Sequence, residues 1–278
     1  MTGPLGIVAG GGPLPRRLVE HCLSTGRGAF VVAIEGHTEA ATVEGVDHLW
    51  TRLGQTEAAI QALKQVGAKE LVMVGPVKRP SMTELRPDRS AFKFLAKVGF
   101  RSLGDDGLLG AVVKALEEEG FTIRGVDELL GDLLVGEGCF GVIEPDELAQ
   151  HDIQRGIAVV RAMGAADVGQ ATVVQDGIVL GVEAVEGTDA LLERCGPLRR
   201  DGPGGVLVKL SKPGQERRAD LPTIGVETVE RAAAAGLRGI AIEAGGTLVV
   251  DAPAVSAAAD RAGLFIIGIS IGSHAAAP

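Results

Sequence analysis

The sequence predicts an α/β protein of two domains, and three observations carry that prediction. The chain's 278 residues exceed the ~100–200 of an ordinary single domain. Its first half alternates short β-rich runs with helical segments, the pattern of a parallel sheet with right-handed crossovers. Its second half contains a hairpin signal, Asp176-Gly177, between two β-branched runs, which calls for a mixed sheet instead.

Taken in order, Leu5 to Ala9 is a buried strand and Gly10-Gly11-Gly12 breaks it. Pro13 and Pro15 suit the first turn of a helix, which Arg16 to Leu23 continues with apolar Leu18, Val19, Cys22 and Leu23. Strand, glycine loop and helix N-terminus is how α/β proteins hold a nucleotide phosphate. The G-x-G-x-x-G fingerprint is not met, because Pro15 stands at the third glycine, so a plain turn is an equal reading. Ala29 to Ile34 is the next strand, Thr56 to Val66 a helix, and Glu70 to Val74 a strand ending at Gly75-Pro76. Ligands of parallel sheets bind beyond the carboxyl ends of strands, where Gly10 to Gly12 and the segment GPVKRP would both lie. Lys78 and Arg79 in that segment are candidates for a diphosphate or sugar, or simply surface charges.

Gly104-Asp105-Asp106-Gly107 precedes a helix over Leu108 to Glu118, where an aspartate pair reads first as a cap. Phe121 to Val126 is another strand. GEGCFG, with Pro145 after it, reads as a linker between domains 1–138 and 139–278. Glu147 to Met163 is a helix stopped by Gly164, and the hairpin follows. Glu183, Glu186 and Asp189 then offer hard oxygen ligands for a divalent cation, while Thr188 or Asp189 can equally cap the helix Ala190 to Arg194. Helices over Gly225 to Ala235 and Ala252 to Ala262 alternate with strands at Gly239 to Glu243, Thr247 to Asp251 and Leu264 to Ile271.

The most informative stretch is GVLVKLSKPGQERRADLPTIG, Gly205 to Gly225. It gathers Lys209, Lys212, Arg217 and Arg218 around the Pro213-Gly214 turn and reaches the carboxylate of Asp220 just before Leu221-Pro222. Cations there offset the charge of an anionic substrate, and the acid holds a metal or orients water. A solvated charged hairpin is the plainer reading of such a loop.

Composition narrows the function. Hydrophobic content of 46% with 23% charged residues is that of a globular protein. A net charge of −9, 3% aromatics and no Tyr argue against nucleic acid as a partner. Cys22, Cys139 and Cys195 are odd in number and fit no zinc spacing, so a reducing, cytoplasmic location is expected. No apolar run approaches the ~18 residues of a membrane span, and MTGPLGIVAGGG lacks a basic signal region.

GIVAGGGPLP (6–15), GDDGLL (104–109), DIQRG (152–156), DVGQATVV (167–174), VEAVEGTDALL (182–192) and KPGQERRADLPTIG (212–225) occur in this order along nearly the whole chain. In them the chain resembles the LpxI-type UDP-2,3-diacylglucosamine pyrophosphatases of lipid A biosynthesis. EGTDA with ADLPTIG is the specific combination; the family's GDDALL reads GDDGLL here, with both aspartates kept. The resemblance implies an N-terminal Rossmann-like domain, a family-specific C-terminal domain, a homodimer and dependence on a divalent metal, Mg²⁺ or Mn²⁺. It implies hydrolysis of UDP-2,3-diacylglucosamine to UMP and 2,3-diacylglucosamine 1-phosphate (lipid X), with the essential aspartate falling on Asp220. The acyl chains of that substrate would bring the enzyme transiently to the inner-membrane surface. The expected substrate contacts are Gly10, Gly11, Gly12, Lys78 and Arg79 in the first half, and Gly187, Thr188, Lys209, Lys212, Gln215, Arg218 and Thr223 in the second. The expected metal ligands are Asp220, Glu186 and Asp189. An active site shared across an interdomain cleft follows from that distribution. Without the resemblance, a nucleotide-sugar-binding regulator or a sugar-nucleotide transferase is the competing reading, the first needing no Asp220 and the second an acceptor.

Overall fold

The computed structural model describes residues 3–78, 88, 92 and 105–271. Arg79, Pro80 and Gly104 lie outside the described residues, as do the side chains of Asp105 and Asp106. The chain divides into two compact units, Met1–Gly131 with Glu216–Asp220, and Asp132–Gln215 with Leu221–Pro278.

The first unit is an all-parallel sheet of five strands in the order β3-β2-β1-β4-β5. Its elements run β1 (Leu5–Ala9), helix α1 (Pro13–Ser24), β2 (Ala29–Ile34), β3 (Asp47–Thr51), α2 (Thr56–Gln65), β4 (Glu70–Val74), α3 (Asp105–Glu118), β5 (Thr122–Ile123) and the short α4 (Val126–Leu129). Two expectations are corrected. Asp47–Thr51 was not anticipated as a strand: it is a polar edge, and Asp47, His48 and Trp50 are all exposed. The strand expected over Phe121 to Val126 is only two residues long, because Gly125 and Val126 turn the chain into α4. α1 starts directly on Pro13, whose missing N–H and preset φ suit a first turn.

The strand order places a topological switch between β1 and β4, since the chain leaves β1 in one direction along the sheet and β4 in the other. Open parallel sheets bind ligands at the carboxyl ends of strands flanking such a point. A Cβ on Gly10 would lie 2.3 Å from the Gly75 carbonyl oxygen, and one on Gly75 2.3 Å from that of Gly11. Two glycines therefore let the loops after β1 and β4 touch.

The second unit is built on a six-stranded mixed sheet, β6-β13-β11-β9-β7-β8, beside a parallel pair, β10-β12. Its strands are β6 (Gly138–Cys139), β7 (Ala171–Gln175), β8 (Ile178–Val182), β9 (Val206–Lys209), β10 (Thr223–Ile224), β11 (Gly239–Glu243), β12 (Leu248–Val249) and β13 (Phe265–Ile269). β9, β11 and β13 are parallel, β6 and β7 join their two sides antiparallel, and β8 pairs antiparallel with β7. The alternation expected of a doubly covered sheet is explicit: Val206 and Val208 join a core with Ala149, Ile153 and Val160 of helix α5 (Glu147–Ala165). Leu207, between them, joins a core with residues of α6 (Gly187–Cys195), α7 (Val226–Ala234) and α8 (Ala252–Ala262). GEGCFG is not a free linker, because Gly138–Cys139 pairs with β13 and Phe140 donates its N–H to the Ile266 carbonyl.

The DIQRG motif proves to hold this layer together. A Cβ on Gly156 would fall 2.4 Å from a Val208 methyl, so glycine lets α5 lie directly on β9. Asp152, buried in α5, accepts the N–H groups of Asp176 (3.2 Å) and Gly177 (2.7 Å) at the hairpin tip. Those two residues have φ of 54° and 73°, the double left-handed turn that the Asp-Gly pair predicted.

Candidate functional site

In the first unit the glycine loop sits at the switch point, yet it does not present all its amides. Gly10 donates its N–H to the Val74 carbonyl and Gly11 to that of Pro76. Pro13 and Pro15 have none to give. The amides of Gly10 and Gly11 thus close the loop against β4. Gly12, in the left-handed region at φ 74°, is the N-cap of α1, and Lys78 is exposed beyond β4.

Glu216–Asp220, the charged turn before Leu221-Pro222, is assigned to this unit. Ala219 packs against the core formed by Leu63, Leu71, Val113 and their neighbours. Arg218 forks onto Glu216, with Nε to Oε1 at 2.8 Å and Nη2 to Oε2 at 2.8 Å, and reaches Glu117 on α3 at 2.6 Å. Asp220 donates its N–H to the Glu216 carbonyl, which closes the turn. The Arg218 guanidinium is pushed well above its usual range, by the Glu216 hydrogen bond first and that of Glu117 second. The expected phosphate cation is thus held between two carboxylates.

In the second unit, Thr188, Lys209 and Thr223 are brought together. Lys209, buried at the end of β9, donates to the Thr188 hydroxyl and to the Thr223 carbonyl, both at 2.9 Å. Thr188 in turn donates to Glu183 at 2.7 Å, and the other Glu183 oxygen accepts the Gln170 N–H at 3.1 Å. Gly187 opens α6 directly before Thr188. Lys212 forms an ion pair with Asp167 at 2.7 Å, its side chain only 9% exposed. Gln215 is buried, and its amide oxygen accepts the Lys212 N–H at 3.0 Å, which fastens the Pro213-Gly214 turn. Beside it, Glu243 accepts both the N–H and the hydroxyl of Ser211. Glu183, Asp167 and Glu243 were not read as partners of the basic loop. Each is remote from it in sequence, and only strand pairing brings them near.

The expected metal ligands are placed differently from one another. Glu186 is engaged by Arg194 at 2.8 Å; its carboxyl sits below its usual range, through its own backbone N–H first and Arg194 after it. Asp189 faces Arg231 at 3.6 Å. Among the described residues no three His, Cys, Asp or Glu side chains converge as a metal site. Asp220, Glu186 and Asp189 are thus not gathered into a preformed trio among the described residues. A single carboxylate such as Asp220 still fits Mg²⁺, which commonly takes one or two carboxylates with the rest from substrate phosphates and water. The thiols of Cys22, Cys139 and Cys195 are free and raised by burial, which suits packing and not metal binding.

Comparisons with known proteins bear on this arrangement. A family model described as the LpxI N-terminal domain matches residues 4–133, and one described as the LpxI C-terminal domain matches residues 136–267. A Caulobacter vibrioides protein named UDP-2,3-diacylglucosamine pyrophosphatase LpxI is 42% identical over 275 residues, covering 95% of this chain and 97% of its own. A solved structure described as glycinamide-RNase-transformylase T from Mycobacterium tuberculosis aligns with 65% of this chain and 44% of its own. At 15% identity and a TM-score of 0.22, it carries no argument. Two family domains in order, and a relative similar from end to end, lead to one conclusion: the chain belongs to the LpxI family.

Proposed function

We propose that this protein hydrolyses the diphosphate bond of UDP-2,3-diacylglucosamine, releasing UMP and 2,3-diacylglucosamine 1-phosphate. The observation that carries the reading is the 42% identity over 275 residues to a protein named for that activity. The chemistry of the basic loop supports it. A phosphoanhydride resists hydrolysis because its anionic oxygens repel the nucleophile, so cations and a positioned water lower the barrier.

In this reading Asp220 is the central carboxylate, holding Mg²⁺ or orienting water. Asp220 would hold Mg²⁺, which would supply neutralisation of phosphate charge. Lys209, Lys212 and Arg218 supply fixed positive charge, which Glu183, Asp167, Glu216 and Glu117 hold in place. Thr188, Gly187, Gln215 and Thr223 shape the loop around the phosphates and sugar. In the first unit, the carboxyl ends of β1 and β4, with Gly12 and Lys78, are the place that suits a nucleotide. The enzyme acts as a homodimer at the cytoplasmic membrane surface, where a diacylated substrate resides; among the described residues no helix is long and apolar enough to cross a membrane.

The test is to incubate the full chain with UDP-2,3-diacylglucosamine and Mg²⁺ in the absence of any acceptor. UMP and the sugar 1-phosphate should appear in equal amounts. Product formation only after an acceptor is added would point to a transferase, and binding without turnover to a regulator. Asp220→Ala should lower kcat by on the order of 10²–10³-fold or more with circular dichroism unchanged. EDTA should abolish turnover and Mg²⁺ or Mn²⁺ restore it; full activity in excess chelator would remove the metal from the reaction.

A further inference from the structure

Glu183, one of the acids that could offer oxygen to a cation, is instead a buried carboxylate, 6% exposed, with both oxygens committed within the chain. The proton order around it is forced by chemistry. An ammonium only donates, a carboxylate only accepts, and a threonine hydroxyl has one proton to give. Lys209 therefore donates to Thr188 Oγ1, and Thr188 passes its own proton to Glu183 Oε1, at 2.9 and 2.7 Å. Glu183 Oε2 is meanwhile anchored by the Gln170 N–H. The far end of the chain of bonds is the Thr223 carbonyl, held by Lys209 at 2.9 Å and three residues after Asp220.

We propose that Glu183 is a positioning residue, which through Thr188 and Lys209 pins the Leu221–Ile224 backbone directly after Asp220. The proposal rests on the reading of that loop as the hydrolytic site. It also explains why an acid is needed there and not an amide. A glutamine that accepts from Gln170 N–H must turn its NH₂ toward Thr188, whose oxygen then accepts from both that amide and Lys209 while its own proton loses its acceptor. A glutamine turned the other way sets its NH₂ against the Gln170 N–H. Only a carboxylate accepts at both ends. Gly169 belongs to the same arrangement: a Cβ there would lie 2.2 Å from the Glu183 carbonyl oxygen, so glycine is what lets this backbone approach.

The test is a double-mutant cycle on the full chain with UDP-2,3-diacylglucosamine and Mg²⁺. Glu183→Gln should lower kcat by about 10- to 100-fold, as a displaced reacting group does, with KM changed less than about 3-fold. Thr188→Val should do the same, Thr188→Ser should restore turnover, and the Glu183→Gln/Thr188→Val double variant should be no worse than either single. Losses that multiply, or a Glu183→Gln enzyme that turns over normally, would overturn the proposal. If Glu183→Gln does not fold, the Thr188→Val and Thr188→Ser pair decides alone: equal activity in both would overturn it. Hydrogen exchange at 223–225 gives a readout independent of catalysis. It should quicken at least about 10-fold in Thr188→Val and not in Thr188→Ser; unchanged protection in Thr188→Val would overturn the pinning even if the wild-type chain failed to release UMP, a result that by itself would refute only the functional reading.

Discussion

Arg218 engages two carboxylates at once, a fork on Glu216 and a single bond to Glu117, and so fixes the turn that ends at Asp220. The same contacts leave a pH signature. Glu216 has its carboxyl held below its ordinary 4.5, chiefly by the Arg218 hydrogen bond. A native carboxyl of lowered pKa binds fewer protons than the unfolded one. Its stabilisation is complete above the unfolded value and is lost as pH falls through the native value. The thermal midpoint should therefore drop as pH is lowered from about 5 toward 3, and Glu216→Gln should flatten that limb. Arg218→Ala should cost only about 0–1 kcal/mol in urea melts, because its partners are partly exposed and screened. Its turnover should fall by about tenfold or more, since the aspartate's turn loses its side-chain ties. Asp220 itself was legible in the sequence as the acid just before Leu221-Pro222 in a cationic loop that also carries Glu216. Its supports were not, because Glu117 lies 101 positions from Arg218 and Asp167 lies 45 from Lys212.

Among the elements, helix α5 and the β7–β8 hairpin form the most self-consistent piece. Asp152 binds the hairpin tip and Gly156 lets the helix settle on Val208. Asp152→Ala strands two amide donors at the turn, and should lower unfolding free energy by about 1–3 kcal/mol in urea titration. Gly156→Val should cost a similar ~1–3 kcal/mol or more by forcing the helix off the sheet. The hairpin was readable because Asp-Gly demands one kind of turn, and the helices because their apolar spacing is regular. β3 was not, since an edge strand with exposed Asp47, His48 and Trp50 shows no buried run. The roles of Asp152 and Gly156 were invisible for another reason: a close approach is a property of two elements, and a sequence presents them one at a time.

For the molecule as a whole, the two-domain α/β architecture was legible from the change of pattern at mid-chain, whereas strand order was not. Pairings such as β1 with β4, or β6 with β13, join residues tens to more than a hundred positions apart. The division into units yields a further expectation. Residues 132–278 expressed alone retain Lys209, Thr188 and Asp220 but lack Glu117 and the apolar bed of Ala219. This fragment should turn over substrate at least about 100-fold more slowly than the full chain even when circular dichroism shows it folded. Near-wild-type turnover would mean that the anchoring of residues 216–220 is dispensable.

That five-residue excursion also sets a clock on the ribosome. The first unit is continuous to Gly131 but is completed only by Glu216–Asp220. At synthesis rates of ~5–20 residues per second, the missing piece is made roughly 4–18 s after the rest of its unit. During that interval the nascent chain carries a parallel sheet whose face awaits Ala219 and whose Glu117 awaits Arg218. Catalytic competence is then the last thing the growing chain acquires. A partly made enzyme would have its first parallel sheet long before it could cleave anything.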